Sequence, residues 1–355
     1  MTLAPIRVML VDDSAVVRGA VGRMVDAAAD MRVVTTATTG RQALAALVHT
    51  PVDVILLDVE MPDMDGLTAL PLLLQTQPGV QVIMQSSLTL AGASVTMQAL
   101  ALGATDFITK PTARGMSGLQ EIEREIVAKI RAVGRRSTSG ALRPSPPPVV
   151  ARPRAILGAR ESAALQVIAI AASTGGPNAL AEVLKALARE VTLPILITQH
   201  MPPVFTGLLA QRLTRDCGRD CVEAVEEMPV RAGRVYIAPG DRHMVVATHE
   251  GAPFLRLTAD PPENHCRPAA DVMLRSVAAV YGNTALAVVL TGMGEDGRRG
   301  CEVLHARGGR VIAQDEASSV VWGMPGAVVS AGLADHVLPL GQIAGKVATL
   351  CLVPA

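Results

Sequence analysis

The chain has 355 residues, enough for two domains with separate cores. Its 32 basic and 32 acidic residues cancel, which argues against a nucleic-acid footprint or a polybasic membrane face. No apolar run reaches the ~18 residues of a bilayer span, and the first residues lack a signal-peptide core. The expectation is a soluble cytoplasmic protein, without membrane insertion or nucleic-acid binding, and monomeric.

From residue 6 to about 133, short apolar runs alternate with helical patterns. Strands are predicted near 6–11, 32–37, 53–58, 80–84 and 105–109, with helices between them and a last helix around Glu121–Arg131. Five βα units with near-continuous apolar strands predict a doubly wound, five-stranded parallel sheet covered on both faces. Residues 134–160, with Arg143-Pro144-Ser145-Pro146-Pro147-Pro148, carry no apolar periodicity and read as an exposed linker. The predicted domains are therefore 1–133 and 161–355. In the second, strands are expected near 166–171, 194–199, 234–238, 243–248, 253–258, 285–290 and 310–313. Helices are expected near 177–190, 205–216, 268–281 and 297–307. The segments at 234–258 look like hairpins, so this domain is predicted as a mostly parallel sheet with a hairpin portion, mixed at that point.

Asp12 and Asp13 end the first apolar run, Asp58 ends the third, Ser86 follows the fourth and Lys110 follows the fifth. Strand ends on one edge of a parallel sheet face a shared crevice, so these groups converge. An aspartate can accept a phosphoryl group, and Mg²⁺ suits the neighbouring carboxylates because it takes one or two of them and keeps its other positions for water or phosphate oxygens. Any one strand-end Asp is more often a turn former or a helix cap; all of them at successive strand ends are not. Lys110-Pro111 is a candidate cis peptide.

Asp12-Asp13, Asp58 with Met61-Pro62 and Asp65-Gly66, Ser86 and Lys110-Pro111 resemble a response-regulator receiver domain over residues 5–131. The resemblance implies Asp58 as phosphoacceptor for a histidine-kinase phosphodonor, Asp12 and Asp13 with Asp58 on Mg²⁺, Lys110 on the phosphate, and Ser86 as the hydroxyl that moves on switching. Gln85 departs from the aliphatic residue expected before Ser86.

Two Gly-rich loops follow strands in the second half. In Ala171-Ala172-Ser173-Thr174-Gly175-Gly176-Pro177, Ser173 stands at a strand-to-helix turn, as a nucleophile near an oxyanion site or as a plain helix cap. Thr291-Gly292-Met293-Gly294-Glu295-Asp296-Gly297 holds a G-x-G-x-x-G pattern, which at 292–297 reads alternatively as a nucleotide cradle. Met293, Glu295 and Asp296 set bulk and negative charge where a pyrophosphate would approach, which frees Asp296 to orient a histidine. His200 ends the strand 194–199 and is the candidate; His243 is its rival. The five cysteines, including Cys217 and Cys221, form no disulfide or zinc framework and read as reduced thiols.

Ala172–Pro177, Gln199-His200-Met201-Pro202, Ala238–Met244 and Leu290–Gly297, in this order behind a receiver, resemble the chemotaxis protein-glutamate methylesterases. The resemblance implies Ser173 as nucleophile, His200 as base and Asp296 as its orienting carboxylate. It implies γ-glutamyl methyl esters on the cytoplasmic helices of chemoreceptors as substrate, deamidation of receptor glutamines by the same logic, and no cofactor for hydrolysis. Thr174, Gly175, Gly176, Gly292, Met293 and Gly294 are the candidate oxyanion and substrate loops. Arg242 and Arg267 are candidates to attract acidic receptor helices. The unphosphorylated receiver is expected to cover the Ser173 face.

Overall fold

The structure, a computed structural model, describes residues 4–87, 89–110, 116–138, 163–187 and 189–352. The chain divides into two compact units, Met1–Arg152 and Pro153–Ala355. Among the described residues, no helix is long and apolar enough to cross a membrane.

The first unit runs β1 (Ile6–Val11), α1 (Ala15–Asp26), β2 (Met31–Ala37), α2 (Gly40–His49), β3 (Val54–Asp58), α3 (Gly66–Thr76), β4 (Gln81–Ser86), α4 (Leu90–Ala101), β5 (Asp106–Thr109) and α5 (Met116–Thr138). The sheet order is β2-β1-β3-β4-β5, all parallel. Every residue of β3 is buried, as a central strand covered on both faces requires. Ser14, Thr39, Asp65 and Thr89 cap α1 to α4, each side chain accepting an amide of the first turn. α5 continues to Thr138, past the expected linker start at 134. Val133 is buried, and Gly134 packs so closely on Ile6 and Val54 that a Cβ would collide with them. The rest of the expected linker and the peptide at Pro111 lie outside the described residues.

The second unit runs β6 (Val167–Ala172), α6 (Gly176–Ala186), β7 (Ile195–Gln199), α7 (Phe205–Cys217), β8 (Asp220–Glu223), β9 (Met228–Pro229), β10 (Arg234–Ile237), β11 (His243–His249) and β12 (Ala252–Thr258). It continues with α8 (Ala270–Tyr281), β13 (Ala285–Val289), α9 (Arg298–Ala306), β14 (Arg310–Gln314), α10 (Met324–Ser330), β15 (His336–Leu338) and α11 (Leu340–Leu352). Seven strands form one parallel sheet in the order β15-β14-β13-β6-β7-β10-β8.

The hairpin portion expected around 234–258 forms, but apart from the parallel sheet and not mixed into it. β10 lies inside the parallel sheet, flanked by β7 and β8, while β11 and β12 pair antiparallel with β9 in a separate three-stranded sheet. Glu250 and Gly251 join that hairpin at φ +51 and +81, the pair of positive values a tight primed turn needs. The parallel order reverses beside β6: β7 and β10 follow on one side, β13, β14 and β15 on the other. That reversal opens the crevice where ligands bind in such sheets.

Candidate active site and receiver pocket

In the first unit, Asp12 and Asp58 are each 1% exposed and Lys110 Nζ reaches between them, 3.1 Å from Asp12 Oδ2 and 2.6 Å from Asp58 Oδ2. The ammonium thus pairs with both buried carboxylates at once. Burial pushes the Asp58 carboxyl up to about 6, against the pull of Lys110. Lys110 is raised in turn, because the two carboxylates outweigh its own burial. Asp13 is exposed, and one oxygen from each of Asp12, Asp13 and Asp58 lies within 4.8 Å of the others, an all-carboxylate donor set able to hold a hard divalent cation. Gly66 packs against the Asp58 carbonyl, leaving no room for a Cβ. Ser86 Oγ is engaged away from the carboxylates, accepting from Thr96 Oγ1 at 2.6 Å and donating to Ser87 O. Sequence reading missed Thr96; its only signal is a fully buried hydroxyl on an apolar helix.

In the second unit, Ser173 follows β6 and His200 follows β7, and the register pairs Ala172 with Gln199, so the two residues come off neighbouring strand ends. Asp296 comes from the loop after β13, on the other flank of β6. Its Oδ2 lies 2.7 Å from His200 Nε2, so that nitrogen carries a proton and Nδ1 is the one left to act as base. Nδ1 faces Cys266 Sγ at 3.5 Å; Ser173 Oγ and His200 share no hydrogen bond in this state. Burial would lower the imidazole pKa, but Asp296 and Cys266 outweigh it and raise it to about 10. Gln199 Nε2 donates to the carbonyls of both Ser173 and His200, bracing the two turns together.

Asp296 is 1% exposed and is cradled. Oδ2 also accepts Ala270 N at 2.6 Å, while Oδ1 accepts Asp271 N at 3.0 Å, Gly297 N at 3.0 Å and Asn264 Nδ2 at 2.9 Å. Two of these amides open α8, whose N-terminal end favours the anion. The Asp296 carboxyl is accordingly held low, against its burial, by His200 and these amides. His243 is fully buried, with Nδ1 accepting Ala269 N and Nε2 donating to Pro261 O, a satisfied brace of the same helix start and no rival base. Arg267 is committed to Asp241 and to the carbonyls of Ala259 and Asp260, which removes it as a free receptor contact; Arg242 stays exposed. Asn264, Cys266 and Gln199 are the site residues to which sequence reading assigned no role. An Asn at φ +52 is their nearest thing to a signal, and it is visible only in the backbone.

The two loops meet at Ser173. Ser173 N donates to Thr291 O, Thr291 Oγ1 donates to Thr174 O, and a Cβ on Gly292 would stand 2.9 Å from Ser173 Cβ. Thr174 is buried, and Gly175 adopts φ +77 against Val320. Gly176 N is spent on Ser173 O and Gly292 N on Val321 O. Among the described residues, the Gly175, Met293 and Gly294 amides keep no partner. With Gly292 N tied to Val321 and the Asp296 carboxylate turned into α8, the 292–297 loop does not serve as a phosphate cradle, and the nucleotide reading is set aside.

Fold and site define a class: a response-regulator receiver joined to an α/β enzyme domain. The response regulator receiver domain profile matches residues 8–118, and the CheB methylesterase profile matches 168–347. The protein-glutamate methylesterase/protein-glutamine glutaminase of Azospirillum brasilense is 51% identical, over 96% of this chain and 91% of that protein. Its counterpart in Paramagnetospirillum magneticum is 52% identical, over 96% and 94%. The crystal structure of the Thermotoga maritima CheB methylesterase catalytic domain is 40% identical, with a TM-score of 0.52, over 53% of this chain and 100% of that one. The chain belongs to the CheB methylesterase family.

Proposed function

We propose that the protein is a phosphorylation-activated protein-glutamate methylesterase and protein-glutamine glutaminase acting on chemoreceptor helices. The observation that carries this reading is the His200–Asp296 contact of 2.7 Å beside Ser173, at the reversal point of the parallel sheet. Ser173 Oγ attacks the γ-carbonyl of a glutamyl methyl ester, and His200 Nδ1 takes its proton once the ring leaves Cys266. Asp296 stabilises the imidazolium without taking its proton. The developing oxyanion meets the free amides among Gly175, Met293 and Gly294. His200 returns the proton to the departing methanol, and water then attacks the acyl-enzyme with His200 again as base. A glutamine amide follows the same course with ammonia leaving. Ester cleavage here uses only these side chains and amides.

In the receiver, Asp58 accepts the phosphoryl group of a histidine kinase. Asp12, Asp13 and Asp58 would hold Mg²⁺, which neutralises charge between carboxylate and phosphoryl oxygens. Lys110 supplies the fixed positive charge, and Ser86 reports the phosphoryl group by exchanging Thr96 for it. The segment 139–160, beyond the end of α5 at Thr138, then links the two domains of a monomer working in the cytoplasm.

A serine-directed fluorophosphonate probe tests the reading. It should label Ser173, with labelling lost in Ser173→Ala and slowed in His200→Gln. Labelling elsewhere, or none in the wild type, overturns the nucleophile assignment.

A further inference from the structure

Cys217 is the last residue of α7 and Cys221 the second of β8, and their sulfurs lie 3.9 Å apart. The chain between them is folded back tightly. Gly218 takes φ +66 and donates to Thr214 O, while Thr214 Oγ1 both accepts Cys221 N and donates to Cys221 O. Cys217 is half-buried and Cys221 is 6% exposed, so Cys217 is the more accessible of the two. None of Cys266, Cys301 and Cys351 has another sulfur in contact among the described residues.

We propose that Cys217 and Cys221 are a peroxide-oxidised thiol pair, with Cys217 attacking and Cys221 resolving. The Cys217 thiolate sulfur attacks one oxygen of a hydroperoxide. An S–O bond forms, the O–O bond breaks, and the alcohol (or water, from hydrogen peroxide) leaves. The Cys221 sulfur then displaces the resulting hydroxyl as water and forms the S–S bond. Two thiols give up two electrons and two protons; the peroxide is reduced to an alcohol and a water. Forming a bond of about 2.05 Å closes a gap that already stands at only 3.9 Å between the two sulfurs. The electrostatics run the same way. The hydrogen bond from Cys221 holds the Cys217 thiol down to about 6 against its burial, helped by Arg219, while that same pairing and burial push Cys221 up. An accessible, acidified thiol beside a resolving partner is the arrangement that oxidises selectively. The pair lies a helix length of ~18 Å from the His200 end of α7, so it stands apart from the ester-cleaving residues.

The test uses the reduced full-length protein, exposed to graded hydrogen peroxide, alkylated with N-ethylmaleimide and digested without reductant. The expected product is tryptic peptide 216–219 joined to 220–231, reversed by dithiothreitol. Cys217 should be alkylated at least about tenfold faster than the buried Cys301 at neutral pH. Cys221→Ser should leave a Cys217 sulfenic acid that dimedone traps, and Cys217→Ser should leave Cys221 reduced. Both thiols still alkylatable when peroxide has oxidised the methionines, a bond to any other cysteine, or wild-type Cys217 passing to sulfinic acid would each overturn the proposal.

Discussion

At the scale of single residues, the His200–Asp296 pair, to which the proposed mechanism gives the proton transfer, carries a pH signature. A base must be neutral to act, and His200 is raised to about 10, so kcat/KM should climb with pH through neutrality into the alkaline range. Asp296→Asn removes the largest single contribution that raises the imidazole, leaving that of Cys266. The acid limb of the profile should move to lower pH while the plateau falls at least about 10²-fold, given the loss of an orienting charge. A lower plateau with an unmoved limb would show that Asp296 does not set the titration. The linkage to stability has the same sign. With a raised pKa, the stabilisation from His200 is complete below 6.5 and lost as pH rises through about 10. With a lowered pKa, that from Asp296 is present above 3.8 and lost as pH falls below it. Denaturant titrations of wild type and His200→Gln should therefore converge on the alkaline side.

The same scale shows what the sequence does and does not display. Asp12, Asp58, Lys110, Ser173, His200 and Asp296 each close an apolar run or sit in a Gly-rich loop, and that placement is readable because strand ends share an edge. Asn264, Cys266, Gln199 and Thr96 carry no such mark. They act through contacts between segments far apart in the chain, which only the packed structure reveals.

At the scale of elements, Asp296 is as much a part of α8 as of the active site. Its carboxylate satisfies the Ala270 and Asp271 amides, and Asn264 ties it to Asp271 Oδ2 at 2.9 Å. Asn264→Ala should cost about 1–3 kcal/mol in unfolding free energy, the usual cost of stranding buried hydrogen-bonding groups. It should also lower kcat more than it raises KM, because substrate contacts are untouched. In the receiver, Gly66→Ala drives a methyl into the Asp58 carbonyl. A loss of about 1–3 kcal/mol is expected, as for overpacking elsewhere, read as a lowered melting transition. Legibility at this scale follows burial. β3, β6 and β13 are fully buried apolar runs and stand out in the sequence. β8 begins and ends on an acid, β9 has two residues, and β15 is a partly exposed edge, so none shows a periodicity. With β8 illegible, β10 has no visible outer neighbour, so the sequence points to a mixed sheet there, while the hairpin of β11 and β12 is legible.

At the scale of the whole molecule, both units obey one rule. The order β2-β1-β3-β4-β5 reverses between β1 and β3, where Asp12 and Asp58 sit; the larger sheet reverses between β6 and β13, where Ser173 and Asp296 sit. In the proposed function one crevice takes a phosphoryl group and the other an ester, which sets signal and chemistry at equivalent places on two sheets. Asp58→Asn should keep basal hydrolysis within about twofold and abolish its stimulation by a phosphodonor, since no side chain of the receiver takes part in ester cleavage in this account.

The most direct test of the central claim is methanol release from a methylated chemoreceptor fragment by the full-length protein, with and without a small phosphodonor and Mg²⁺. The account predicts turnover that the phosphodonor raises in the wild type, the unstimulated rate alone in Asp58→Asn, and none in a folded Ser173→Ala. Methanol release persisting in Ser173→Ala would contradict it.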